Sequence, residues 1–312
     1  MNPRRVKEAV LANGYRDLTF DPADPNRVFL WTEEGPPQPA FLRFSRKSSR
    51  FDNETAALTL IHQQLPSAPV PPLLLSLPEF DDGLMLVGYL PGVNLADFIP
   101  PDADIPPLPL TYQRSQPEAT AGLLGAIAEA GRAVRQLHGI PLTQFGTLVG
   151  PWANPYLHDA HAHTAQETRH VLSRCVQLGI FSAHEEKKID NWLHERLSLI
   201  APDEKPAFIH FDLHAGNLRF EVENGRVYFL AIYDFELARG WLPEYDLALL
   251  SWDLGGLSGG WETFCRGYGG AIHPERLRLF EMIKALTAVA YSKSDHDWRD
   301  WCLQRIKRLL EG

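Results

Sequence analysis

Phe208-Ile209-His210-Phe211-Asp212-Leu213-His214-Ala215-Gly216-Asn217, continued by Ile232-Tyr233-Asp234-Phe235-Glu236, is the stretch on which the reading of this chain turns. It places a carboxylate, an amide and a second carboxylate in two short loops. The segment joining them reads as a β-hairpin. Leu218, Phe220 and Val222 alternate with Arg219, Glu221 and Glu223, the period of two of a strand with one buried face. Asn224-Gly225 is the pair favoured in a two-residue type I′ turn, where both central residues need positive φ. Arg226 to Tyr233 then runs back as a mostly apolar strand. With 224–225 as the loop, 223 faces 226, 220 faces 229 and 217 faces 232. Asn217 and Asp234 therefore leave the open end within about two residues of each other, roughly 7 Å of strand. Two oxygen ligands at that separation can share a hard cation such as Mg²⁺, which keeps several waters and takes few protein ligands. Asp212 lies on the same loop and can point at an acceptor hydroxyl.

The spacing His210-x-Asp212-x4-Asn217 resembles the kinase catalytic loop, and Asp234-Phe235-Glu236 stands where kinases carry the metal-binding Asp-Phe-Gly. The form His-x-Asp-Leu-His-x-Gly-Asn with Asp-Phe-Glu is similar to the aminoglycoside phosphotransferase family, which itself resembles choline, fructosamine, homoserine and methylthioribose kinases. The resemblance implies an α+β, protein-kinase-like fold: a small N-terminal lobe built on an antiparallel sheet and a larger, mostly helical C-terminal lobe. It implies a small-molecule kinase that moves the γ-phosphoryl of ATP or GTP to a hydroxyl of a sugar, amino alcohol or aminoglycoside-like acceptor. In that reading Asp212 is the base, Asn217 and Asp234 hold Mg²⁺, and His210 is a structural residue of the loop. His214 is read as structural too.

The whole chain sets bounds. Its 312 residues suffice for one large domain or two lobes, and 45% hydrophobic with 22% charged residues is ordinary globular composition. A formal charge of −9 argues against a sequence-independent grip on nucleic acid and would suit a cationic small substrate. Cys175, Cys265 and Cys302 are odd in number and widely spaced, neither a disulfide framework nor a zinc pattern, so a cytoplasmic setting is expected. The opening MNPRRVKEAV has no apolar core of a signal peptide, and no apolar run reaches the ~18 residues of a membrane span. A monomer or homodimer without membrane contact is the expectation.

Along the N-terminal part, Asn2 to Asn13 reads as a helix stopped by Asn13-Gly14. Strands are expected over Leu18–Phe20, Val28–Trp31 and Ala40–Ser45, with the turn Asp21 to Asn26 between the first two. The resemblance puts that turn over the nucleotide phosphates, with Asn26 where relatives often carry Ser or Asn. Glycine normally lets such a backbone approach a polyphosphate, yet this turn has none and holds two prolines, Pro22 and Pro25. Arg43 occupies the third-strand position of the phosphate-gripping lysine of kinases, with Lys47 as the other candidate. An arginine stays charged and can bind phosphate through two nitrogens. Asp52 or Asn53 is expected to cap the next helix. Glu54 then either pairs with Arg43 or helps start that helix.

Further strands are expected at Leu73–Leu77 and Leu84–Val87 around Asp81-Asp82-Gly83. Gly88-Tyr89-Leu90-Pro91-Gly92 resembles the family's hinge, where backbone groups meet the nucleotide base. Tyr89 and Leu90 are the candidates there, and residues 1–91 are expected to form the nucleotide-binding lobe and 92–312 the catalytic and acceptor-binding lobe. The proline-rich 97–117 reads as a loop. Glu118 to His138 shows helical periodicity. His158, His161 and His163 invite a zinc reading, but no cysteine or second histidine cluster nearby completes a shell, and a loop leading into a helix is preferred. Two helices should precede the catalytic loop. Asp246, in Gly240-Trp241-Leu242-Pro243-Glu244-Tyr245-Asp246, resembles the residue that steadies that loop in the family.

The acceptor is the least defined element. Asp159, Trp252, Asp253, Trp261 and Glu262 lie in segments that could border its pocket. Two other classes stay open: a nucleotide-binding pseudokinase with a regulatory partner, motivated by the glycine-free turn, and a protein kinase, for which the short span from Phe235 to Tyr245 leaves little platform.

Overall fold

The computed structural model describes residues 2–24, 26–44, 48–78, 80, 83–107, 117, 120–149, 158–292 and 296–311. Helix α1 (Pro3–Ala12) opens the chain, with Asn2 accepting the Arg4 N–H at its start. Strands β1 (Asp17–Phe20), β2 (Arg27–Trp31) and β3 (Gln38–Phe44) follow, then α2 (Ser48–Gln64), β4 (Leu73–Leu77) and β5 (Leu84–Gly88). The five strands form one antiparallel sheet in the order β1-β2-β3-β5-β4. β5 is apolar throughout because both of its faces are covered. Leu84 and Leu86 pack with Val6 and Val10 of α1, while Met85 and Val87 pack with Phe51, Leu58 and Ile61 of α2.

α2 begins earlier than the expected cap. Asn53 lies inside the helix, where its Nδ2 donates to the carbonyls of Glu236 and Ala238, and its Oδ1 accepts the Leu148 N–H. These distant partners occupy its polar groups, so it ties α2 to the segment after Asp234 instead of capping anything. Lys47 lies outside the described residues, as do Asp81 and Asp82 of the expected turn.

After the hinge the chain enters β6 (Val93–Asn94), which pairs with the hairpin described below, and a 3₁₀ turn at Leu95–Phe98. Gly92, at φ 94°, makes that passage possible, since a Cβ there would meet the Phe220 carbonyl oxygen at 2.1 Å. Of the proline-rich stretch, 108–116 lie outside the described residues, as do 118 and 119 at the expected start of the next helix. α3 (Leu123–His138) starts later than Glu118, because Gly122 just before it is left-handed at φ 83° and Ala121 is held by the Val227 N–H.

β7 (Gly146–Thr147), α4 (Ala160–Gln177), α5 (Ala183–Leu197) and β8 (Ala207–Ile209) come next. The two helices before the catalytic loop are present, each with a side-chain cap, Asp159 and Ser182. The hairpin is β9 (Leu218–Glu223) and β10 (Arg226–Ile232), turned at Asn224 and Gly225 with φ of 50° and 74°. Its register is as expected from 223–226 to 220–229. Beyond that it slips: Ala231 faces Arg219 and Ile232 faces Leu218. Leu230 is one residue too many, a β-bulge, so position 217 does not face 232. Instead the Tyr233 N–H donates to the Asn217 carbonyl at 3.2 Å.

β11 (Arg239–Trp241) lies between β7 and β8, and α6 (Glu244–Gly255), α7 (Gly260–Tyr268), α8 (Pro274–Tyr291) and α9 (His296–Glu311) complete a mostly helical lobe. Its core joins α4, α5, α6, α8 and α9 through Val171, Ile189, Leu249, Ile283 and Ile306. No helix among the described residues is long and apolar enough to cross a membrane.

Candidate active site

The loop 210–217, the candidate catalytic loop, leaves β8 and is held by its backbone. Asp246, buried near the start of α6, accepts the His210 and Phe211 N–H groups at 2.7 Å each, and His138 Nε2 lies 3.2 Å from the same carboxylate. His210 Nε2 donates to the Tyr233 carbonyl at 2.8 Å, while its Nδ1 accepts the Asp212 N–H at 3.3 Å. The ring thus links this loop to Tyr233, the residue before Asp234. Phe211 sits at φ 72°, an unfavourable region for a bulky residue. Its ring is stacked on Tyr245 at 4.5 Å, and the Arg239 guanidinium covers it at 3.4 Å. Farther along, the Ala215 N–H donates to Asp253 at 2.6 Å.

Asn217 Nδ2 donates to the Asp212 carbonyl at 2.9 Å, which leaves the amide oxygen as the free end of the side chain. Asp234, left-handed at φ 71°, receives Arg43 Nη2 at 2.8 Å. The same guanidinium donates through Nη1 to Glu54 at 2.8 Å, and Glu236, paired with Arg50, lies 3.9 Å away. Of the two readings of Glu54, the ion pair is therefore the one present; no acid stands in the first turn of α2. Burial, opposed by Arg43 and reinforced by Asp234 and Glu236, pushes the Glu54 carboxyl up to about 7. Three carboxylates around two guanidiniums leave the locus short of positive charge. An amide oxygen and a carboxylate beside that acid excess fit a hard divalent ion with few protein ligands. Among the described residues no group of three or more His, Cys, Asp or Glu could hold a metal. His158, His161 and His163 separate, to the Thr143 carbonyl, the Leu197 carbonyl and a place between Phe145 and Trp241.

Between the lobes lies a cavity of about 420 Å³ bordered by Phe41, Arg43, Val87, Tyr89, Leu90 and Asp234. The hinge residues Tyr89 and Leu90 are thus on its wall, with Arg27 over the Tyr89 ring and Arg219 Nε donating to the Leu90 and Pro91 carbonyls. Asn26 is not brought to it. Its N–H is held by the Asp24 carboxylate and its carbonyl by the Leu42 N–H, which draws it into the start of β2, and Asp24 borders the cavity instead.

Sequence reasoning missed Lys284. This buried lysine of α8 places Nζ 3.3 Å from Asp212 Oδ1 and 3.1 Å from the Phe211 carbonyl. A single charge within Met282-Ile283-Lys284-Ala285-Leu286 was the available signal. Burial alone would raise the Asp212 pKa, but Lys284, His214 and His210 outweigh it and hold the carboxyl below its ordinary range. The residues suggested to border the acceptor pocket belong to the start of α4, to α6 and to α7. Asp159 caps α4, Trp252 packs on Trp301, Asp253 holds the catalytic loop, Trp261 stacks on Phe264, and Glu262 sits in the first turn of α7.

Two lobes, an interlobe cleft and this loop pair define a protein-kinase-like phosphotransferase acting on an alcohol group. The model of the phosphotransferase enzyme family named APH matches residues 21–280, and the chain belongs to that family. Solved structures share its fold. A gentamicin complex of APH(2″)-IIa is 13% identical with a TM-score of 0.58, covering 100% of this chain and 97% of that one. The GDP complex of aminoglycoside 2′-phosphotransferase-IIIa is 12% identical with a TM-score of 0.59, covering 100% and 99%. A choline/ethanolamine kinase family protein from Mesorhizobium loti is 19% identical with a TM-score of 0.53, covering 91% and 84%. No curated protein sequence matches the chain.

Proposed function

We propose that the protein transfers the γ-phosphoryl group of ATP or GTP to a hydroxyl of a small molecule, with residues 1–91 binding the nucleotide and 92–312 carrying the catalytic loop and the acceptor. The observation that supports this reading is the linkage of the two loops: Asn217 Nδ2 donates to the Asp212 carbonyl, the Tyr233 N–H donates to the Asn217 carbonyl, and Asp234, next in the chain, borders the cavity with Arg43 and the hinge. Asp212 orients the acceptor hydroxyl and takes its proton as the new oxygen–phosphorus bond forms and the bond to the leaving nucleoside diphosphate breaks. Asn217 and Asp234 would hold Mg²⁺, which when bound neutralises charge on the phosphates. Arg43, oriented by Glu54, supplies a fixed cation at the cavity wall. Tyr89 and Leu90 border the space for the base. His210 and Asp246 keep the loop in place, and Lys284 keeps the base ionised and aimed.

A second reading, a nucleotide-binding pseudokinase serving a regulatory partner, is favoured by one feature: a carboxylate, Asp24, borders the cavity from a turn without glycine. A thermal-shift titration with ATP and GTP, with and without Mg²⁺, followed by a turnover assay, separates the two. Asp212→Asn should lower turnover by roughly 10²–10⁴-fold while leaving nucleotide binding in place. Near-normal turnover in that variant overturns the assignment, and nucleotide binding without any transfer in the native protein favours the second reading.

A further inference from the structure

We propose that the acceptor is an anion: a hydroxyl-bearing small molecule whose carboxylate or phosphate group is gripped by Arg239 and Arg169. The inference rests on the kinase reading above and names the substrate class of that same site. A second cavity, of about 810 Å³, lies between α4 and α8 on the side of the catalytic loop marked by Phe211. Phe211, which borders it, immediately precedes Asp212 in the chain.

The charge of this cavity opposes that of the whole chain. Arg50, Arg169 and Arg239 border it, and Glu167 is the one carboxylate among its bordering residues. Arg50 is already paired with Glu236. Among the described residues, neither Arg169 nor Arg239 has a carboxylate within ion-pair distance. Arg239 comes from β11 and covers the Phe211 ring at 3.4 Å, and its Nε donates a long hydrogen bond of 3.4 Å to the Leu237 carbonyl. Burial pulls its pKa down, with Tyr245 and Glu167 opposing. A half-buried guanidinium with its fork uncommitted is suited to a planar carboxylate or a phosphate.

α4 supplies the opposite wall. Gln166, Arg169, His170 and Ser173 fall at helical spacings of three and four and share one face. Gln166 Oε1 is buried without a hydrogen-bond partner, an acceptor for a ligand hydroxyl. Trp241, Val171 and Ile283 give the carbon skeleton an apolar surface. A polycationic aminoglycoside or a quaternary amine would meet like charge here. On this proposal the net charge of −9 is no guide to the sign of the substrate, because it averages over surfaces that the ligand never meets.

A matched hexose series tests this on the intact protein. With Mg²⁺ and a non-hydrolysable ATP analogue filling the interlobe cavity, calorimetric titration compares gluconate, glucose 6-phosphate, glucose and glucosamine. The anions should bind at least ~10-fold more tightly than glucose, and glucosamine more weakly. Whether gluconate or the phosphate leads tells which oxyanion is preferred. Arg239→Met and Arg169→Ala should each erase most of the anionic advantage; Arg169 is exposed, so its variant reads even where the other fails to fold. A flat or reversed series, or an advantage that persists in both variants, overturns the proposal. Failure of the ATP analogue to bind defeats the kinase reading instead, and the hexose series still reports on this cavity.

Discussion

The ammonium of Lys284 lies 3.3 Å from Asp212 Oδ1 and 3.1 Å from the Phe211 carbonyl, so one cation binds both the side chain of the proposed base and the backbone before it. Methionine at 284 would fill the space without the charge. We expect Lys284→Met to change stability little, since a well-packed apolar replacement for a buried cation is often neutral. Its kcat should fall by ~10-fold or more, with KM for nucleotide unchanged. Lys284→Arg should recover part of the loss. Steady-state kinetics beside urea denaturation check this, and an unchanged kcat in the methionine variant removes Lys284 from the mechanism.

Asp246 accepts two buried backbone N–H groups and faces His138. Asp246→Ala leaves those donors without partners, at a cost of about 1–3 kcal/mol each. It also releases Phe211 from its left-handed conformation. The variant should lose stability on that scale in denaturant titration and show almost no turnover. A denaturation midpoint equal to that of the native protein would contradict this account of the loop.

Gly92 can be tested in the same way. A Cβ at φ 94° would sit 2.1 Å from the Phe220 carbonyl oxygen, so the backbone itself must move. Gly92→Ala should cost at least ~2 kcal/mol. It should also weaken nucleotide binding, because Leu90 and Pro91 are held by Arg219 from the same hairpin. A thermal melt with and without nucleotide measures both effects.

His163 is buried and stacked on Phe145 at 5.1 Å, and burial, with the Arg239 charge adding to it, lowers its pKa from 6.5 to about 4. Between those values the unfolded chain takes up a proton that the folded protein refuses. Stability is therefore fully present above pH 6.5 and falls as pH drops toward 4, by up to about 3 kcal/mol from this group. His163→Phe should flatten the pH dependence of the melting temperature across that window. An unaltered slope would mean that the imidazole titrates freely in the folded state.

How far the sequence could be read depended on how local each cause was. The hairpin turn was legible because Asn224 and Gly225 carry their own conformational preference. So was β5, whose unbroken apolar run reflects two covered faces. The start of α2 was not, because Asn53 has its partners near residues 148 and 236–238, far along the chain. Lys284 and Arg239 were missed for the same reason: each acts through Phe211, which only the fold brings beside them. The setting of Asn26 was not legible either, because the neighbouring Asp24 captures its N–H, a competition that spacing alone does not settle.

The extra residue at Leu230 carries a consequence for how this hairpin can change. Side chains on a strand alternate in phase, and an insertion of one shifts that phase for everything beyond it. Asp234 lies just past the slip. Shortening β10 by one residue would allow an uninterrupted ladder, more regular than the native one, while turning the side chains past the bulge toward the opposite face. The parity of residues between the Asn-Gly reversal and the acid thus decides which face Asp234 presents, so removing one residue from β10 and removing two are different kinds of change.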